Sequence, residues 1–171
     1  MDTLFKVLLG NLVLNKGPQD LPYSTVLMRL CLLLYFFTGL PGLLTNTEFD
    51  QAVYAQALDV LVLLTFTYLC LQAFSKLPRF TQTVTALAAV GAIFQLLVLP
   101  LLFNSQEVTD ASQVTLGTSL LLLMFVSWNL AVIAHIFRES FGIRLPAAMA
   151  LTICYVFITL LVRKFFFPGL A

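Results

Sequence analysis

The chain is short of charge. Of its 171 residues only nine are Lys or Arg and eight are Asp or Glu, together 10%, where an ordinary soluble domain carries roughly 25%. That deficit excludes a fold covered by water, because a chain that is 60% hydrophobic holds more apolar surface than one small core can hide. A net charge of +1 offers no excess of either sign, so neither nucleic acid nor an acidic partner is implied. The sequence has one histidine and three cysteines. His135, beside Arg138 and Glu139, has no His, Cys or carboxylate at ligand spacing, so a helix-end or headgroup contact is expected in place of a metal site. Cys31, Cys70 and Cys154 fall inside apolar runs, where isolated thiols act as small packing residues; a redox relay needs accessible, paired ones. No Gly-x-Ser-x-Gly elbow and no Gly-x-x-x-x-Gly-Lys loop occur, and no Ser, Thr or Tyr has a credible base beside it. The expectation is a non-enzyme without a cofactor.

What the chain has is long apolar runs. A helix needs about 20 apolar residues to cross a hydrocarbon core of roughly 30 Å. Residues 23–44, 53–74, 85–103, 114–137 and 145–162 approach or meet that length. The expected fold is all-α: a polytopic membrane bundle of five spans over residues 23–167, with short loops that force antiparallel neighbours. The last run is the shortest, although Phe165, Phe166 and Phe167 extend its apolar length. A dip and return there would leave four spans.

Residues 1–16 are different. Leu4, Phe5, Leu8, Leu9 and Leu12 recur at helical spacing among Asp2, Lys6, Asn11, Asn15 and Lys16, which predicts an amphipathic helix lying in the membrane interface. Little positive charge and no small-residue cleavage pattern argue against a signal peptide. Gly17 and Pro18 end the segment, and Ser24 or Thr25 supplies a hydroxyl cap for the first span.

The charges alternate along the chain. Lys6 and Lys16, then Lys76 and Arg79, then Arg138 and Arg144 mark three basic segments; Glu48 and Asp50, then Glu107 and Asp110, mark two acidic ones. Basic segments stay cytoplasmic, which sets the N-terminus inside and the C-terminus outside. Arg163 and Lys164 break the pattern.

Polar groups inside the spans are the candidate functional residues, since a charge there costs roughly 2.5 to 3.5 kcal/mol on insertion scales. At 1.5 Å per residue, Arg29 lies about 10 Å and Asn129 about 13 Å from the cytoplasmic side, while Asp59 lies about 24 Å and Arg163 about 27 Å from it. Two polar layers follow. The inner would hold Arg29 near Asn129, with Trp128 offering a ring to the guanidinium; the outer would pair Asp59 with Arg163 and so neutralise the misplaced cation. The alternative is that Arg29 and Arg163 snorkel to headgroups while Asp59 sits protonated or hydrated. Gln56 and Gln95 are expected to bond neighbouring helices. Gly91 with Ala88, Ala89 and Ala92 makes a surface that a helix of this chain or of a second copy can approach closely. Pro100 and the Gly39, Pro41, Gly42 cluster predict kinks.

An amphipathic segment followed by five closely spaced spans resembles the layout of the Yip family, whose eukaryotic members associate with Rab-type GTPases in vesicle traffic. Asp20-Leu21-Pro22-Tyr23 is similar to the family's acidic, aromatic, Gly and Pro signature, without the Gly, so no functional residue is carried over. The short loops look like the small bacterial inner-membrane type. Beside the bilayer, the expected partners are a membrane protein or further copies of the chain. The expected function is a scaffold, assembly or membrane-organising subunit; the alternatives are a small oligomeric transporter or channel with Asp59 and Gln95 along a polar pathway, and an enzyme acting on lipid or quinone through an inner cluster of Arg29, Trp128, Asn129 and His135. A transporter would gather its polar side chains on one water-accessible surface, whereas a scaffold would bury them between helices.

Overall fold

In a computed structural model, which describes residues 17–45, 47–106 and 116–167, the apolar runs form five long helices: α1 (Thr25–Leu44), α2 (Phe49–Ala73), α3 (Phe80–Gln106), α4 (Leu116–Phe141) and α5 (Leu145–Phe166). Two 3-10 turns, Pro18–Asp20 and Leu77–Arg79, precede α1 and α3, and no strand occurs among the described residues. All five helices contain a segment long and apolar enough to cross a membrane. The protein is an all-α integral membrane bundle. The expected amphipathic helix at 1–16, and the acidic pair Glu107 and Asp110, lie outside the described residues.

Four helices run further than the apolar runs alone indicate, because charge at a helix end is compatible with helix. Asp50 sits in the first turn of α2, where the backbone dipole favours an anion; Arg163 and Lys164 sit in the last turn of α5, where it favours cations. The fifth span is therefore not short. Its 22 residues rise about 33 Å, a full crossing. Ser24 is the hydroxyl that caps α1, its Oγ accepting from the Leu27 amide at 3.2 Å. Pro41 and Pro100 lie inside α1 and α3, which continue through them.

Three chain segments meet at one end of the bundle. Gln82 Nε2 donates to the Leu21 carbonyl at 2.6 Å, and Arg79 Nη1 donates to the Glu139 carbonyl at 3.0 Å and to that of Ser140 at 3.3 Å, covering carbonyls that the end of α4 leaves unpaired. Thr83 Oγ1 donates to Ser140 Oγ at 3.0 Å. This is the basic end, with Lys76, Arg79, Arg138 and Arg144; the opposite, acidic end begins at Glu48 and Asp50.

α3 is the central helix. α1 packs most extensively on it, and α4 and α2 flank it, while α5 closes the far side between α2 and α4. The small-residue surface explains the α1 contact: Ala88, Ala89 and Ala92 are buried within this chain. On the basic side of mid-bundle, rings fill the interior. Phe137 stacks on Phe141 at 5.2 Å and meets Phe66 at 5.9 Å, and Phe74 stacks on Phe141 at 5.4 Å.

Candidate functional site

A cavity of about 450 Å³ takes residues from all five helices, among them Tyr35, Asp59, Gly91, Asn129 and Arg163. Tyr155 lines the cavity and joins it to the aromatic layer, meeting Phe66 at 5.3 Å and Phe137 at 6.2 Å. The result is a vestibule with the aromatic layer on its basic side.

Asp59 is its centre. The carboxylate is 8% exposed; Arg163 Nη2 lies 3.6 Å from its Oδ1, with the Arg163 side chain 30% exposed, and the Tyr35 hydroxyl donates to its Oδ2. Helix geometry explains the meeting. Tyr35 and Asp59 stand nine and ten residues from the acidic ends of α1 and α2, depths of about 14 and 15 Å. Arg163 starts only about 5 Å down. However, side chains tilt toward the N-terminus of their own helix. On α5 that direction runs into the bundle, and on α2 it runs out toward the acidic end, so guanidinium and carboxylate approach one another.

Two glycines make the backbone room. A Cβ built on Gly91 would lie 2.5 Å from Tyr35 Cε2, and one on Gly39 would collide with the Gln56 amide. Gln56 Nε2 donates to the Tyr35 carbonyl at 3.2 Å, and the single hydroxyl proton of Thr38 is shared between Gln95 Oε1 at 2.7 Å and the Leu34 carbonyl at 2.9 Å from Oγ1. These contacts tie α1 to α2 and α3. Thr159 also lines the cavity, its buried Oγ1 without a close hydrogen-bond partner among the described residues.

Of the residues singled out from sequence, Gln56, Asp59, Gln95, Asn129 and Arg163 come together here. The inner polar layer does not form. Arg29 is exposed on α1 and Trp128 is half-exposed on α4, while Asn129 turns into the vestibule. One residue along a helix rotates the side chain by 100°, so Trp128 and Asn129 belong to different faces. Arg29, one turn into α1, has a stem long enough to leave its charge at the interface. His135 lies at the basic end, in a groove between α4 and α5. Among the cysteines, Cys31 is buried as expected of a packing residue, whereas Cys154 faces outward.

Sequence reasoning missed Tyr35, Thr38, Tyr155 and Thr159. The depth calculation that matched Asp59 with Arg163 would also have found Tyr35. Nothing in the sequence distinguished the two threonines, because hydroxyls in membrane helices ordinarily bond their own backbone, as Thr38 does in part. Comparison of the chain with protein families, characterised proteins and solved structures gives no match.

Proposed function

We propose that the protein is a non-enzymatic membrane binding module that takes a small solute into the vestibule, acting as the receptor part of an oligomeric transporter or channel. The observation that carries this reading is convergence: Gln56, Asp59, Gln95, Asn129 and Arg163, from four helices, line a single cavity of about 450 Å³. Polar groups facing space, and not only each other, are what a solute needs. The walls are mostly apolar, with Leu63, Leu87, Val98, Leu99 and Leu160 among the lining residues, so the solute is small and has one polar end. With the packed aromatic layer on the basic side, this reading has passage across the membrane go through a second conformation. The alternation of charged segments supports placing the basic end in the cytoplasm, with the vestibule facing out.

A scaffold is the second reading, favoured by the Thr38 to Gln95 and Gln56 to Tyr35 bonds, which are ordinary interhelical glue. The two separate in one experiment. In a variant lacking Cys31, Cys70 and Cys154, single cysteines at Asn129 and Gln95 are treated with a membrane-impermeant methanethiosulfonate from each side of sealed vesicles. Reaction from the side facing the acidic end supports solute binding. Inert positions from both sides eliminate it and leave the scaffold.

A further inference from the structure

The basic end carries a second space that the vestibule does not use. A groove of about 540 Å³ runs between α4 and α5, with Leu130, Ala134, Met149 and Ile153 along it and His135 and Arg138 toward its end. We propose that this groove holds one anionic phospholipid, its phosphate on Arg138 and an acyl chain against the apolar wall.

Length and charge carry the assignment. From Ser127 to Arg138 is eleven residues, about 16 Å of helix, so the groove begins where headgroups lie and descends about halfway into the hydrocarbon. An acyl chain of one lipid has that shape; a polar solute does not. At the mouth, Arg138 is 48% exposed, and its one ion pair among the described residues joins Nε to Glu139 Oε1 at 3.6 Å. The other carboxylate oxygen of Glu139 accepts from Gln19 Nε2 at 3.4 Å, which draws that anion toward the turn before α1. The Nη donors of Arg138 suit the two oxygens of a phosphate diester. Arg144, exposed, and Lys76 with Arg79 stand at the same end of the bundle, and basic pockets between membrane helices favour anionic headgroups. A zwitterionic lipid offers the same phosphate but brings its own cation to this basic surface.

The test is native mass spectrometry of the detergent-purified protein mixed with equal amounts of dioleoyl phosphatidylglycerol and dioleoyl phosphatidylcholine. The expected result is a single retained phosphatidylglycerol, preferred roughly tenfold, a difference in the range of one charge-assisted contact. Arg138→Gln should bring the two lipids to parity. Met149→Trp, at an exposed position that fills the groove, should lower retention of both lipids while the fold, read by circular dichroism, is unchanged. Lys164→Gln, exposed at the other end, should retain the preference. Equal retention by the unaltered protein, an unchanged preference in Arg138→Gln, undiminished binding in Met149→Trp, or a dimer that excludes lipid would each overturn the assignment.

Discussion

Arg163 and Asp59 lie 3.6 Å apart on the last and second helices of the bundle, and each accounts for the other's presence in the membrane. A carboxylate 8% exposed beside the acidic end needs a cation or a proton; a cation on the acidic side of a chain whose other described basic groups, Lys164 apart, lie opposite needs an anion. The expected double-mutant cycle has a sign. Arg163→Gln leaves a buried carboxylate held by Tyr35 alone, and Asp59→Asn leaves an arginine free to move toward the headgroups, so the first variant is the less stable. Removing both costs less than the sum, by about 1–3 kcal/mol, the range for residues in direct contact. Arg163 is close to one-third exposed, and screening holds the figure below the 3–5 kcal/mol of a fully buried pair. Unfolding in detergent micelles measures all four proteins, and additive losses would mean no interaction.

The Tyr35 ring sits where Gly91 has no side chain. Gly91→Ala should push the ring away from α3 and take the hydroxyl off Asp59. Tyr35→Phe removes the same hydroxyl without moving the ring, and leaves one carboxylate oxygen short of a donor, at a cost of about 1–3 kcal/mol. If the hydroxyl is what matters, combining Gly91→Ala with Tyr35→Phe should destabilise little more than Gly91→Ala alone. Full additivity would instead make the glycine a matter of helix packing only. Thermal unfolding of the three variants separates these outcomes.

What was legible in the sequence followed from one-dimensional quantities. Apolar run length gave five spans, and the rise per residue matched Asp59 with Arg163. Rotation about a helix axis was not legible from a chain whose helices are apolar on nearly every side. Asn129 and Arg29 share a depth but not an azimuth, and Trp128 and Asn129 are adjacent but face apart. The vestibule escaped for the same reason: a cavity is volume that side chains fail to fill, and its walls come from five helices whose mutual rotation only the packed structure fixes. The helix ends escaped because hydropathy stops at a charge, whereas the hydrogen-bonded backbone continues through Arg163 and Lys164.

Gly142 ends α4 with φ of +70°, its amide donating to the Arg138 carbonyl at 2.9 Å. Only glycine adopts that conformation without a Cβ penalty. Gly142→Ala should therefore destabilise by roughly 1–2 kcal/mol, although a Cβ there would meet nothing within 4 Å. Ser75, after α2, has φ of +56° and is the mirror case. Ser75→Gly should be neutral or stabilise by up to about 1 kcal/mol. Opposite signs in the same unfolding assay would locate the effect in the backbone; equal signs would refute it.

Phe137 stands behind the vestibule's lining residue Tyr155, on the basic side. It is fully buried, in ring contact with Phe66, Phe141 and Tyr155. Phe137→Ala removes a ring from a layer that helices on both sides hold in place, so the space does not close. The expected loss is about 3–5 kcal/mol, and Phe137→Leu, which keeps most of the volume, should lose much less. The functional consequence is separate from stability. With the ring gone, the packed layer between the vestibule and the basic end is thinner, and on the proposed function vesicles carrying Phe137→Ala should leak protons faster than those carrying the unaltered protein or Phe137→Leu. Equal leak rates in all three, at equal folded protein, would mean that the layer does not depend on this ring to hold protons back.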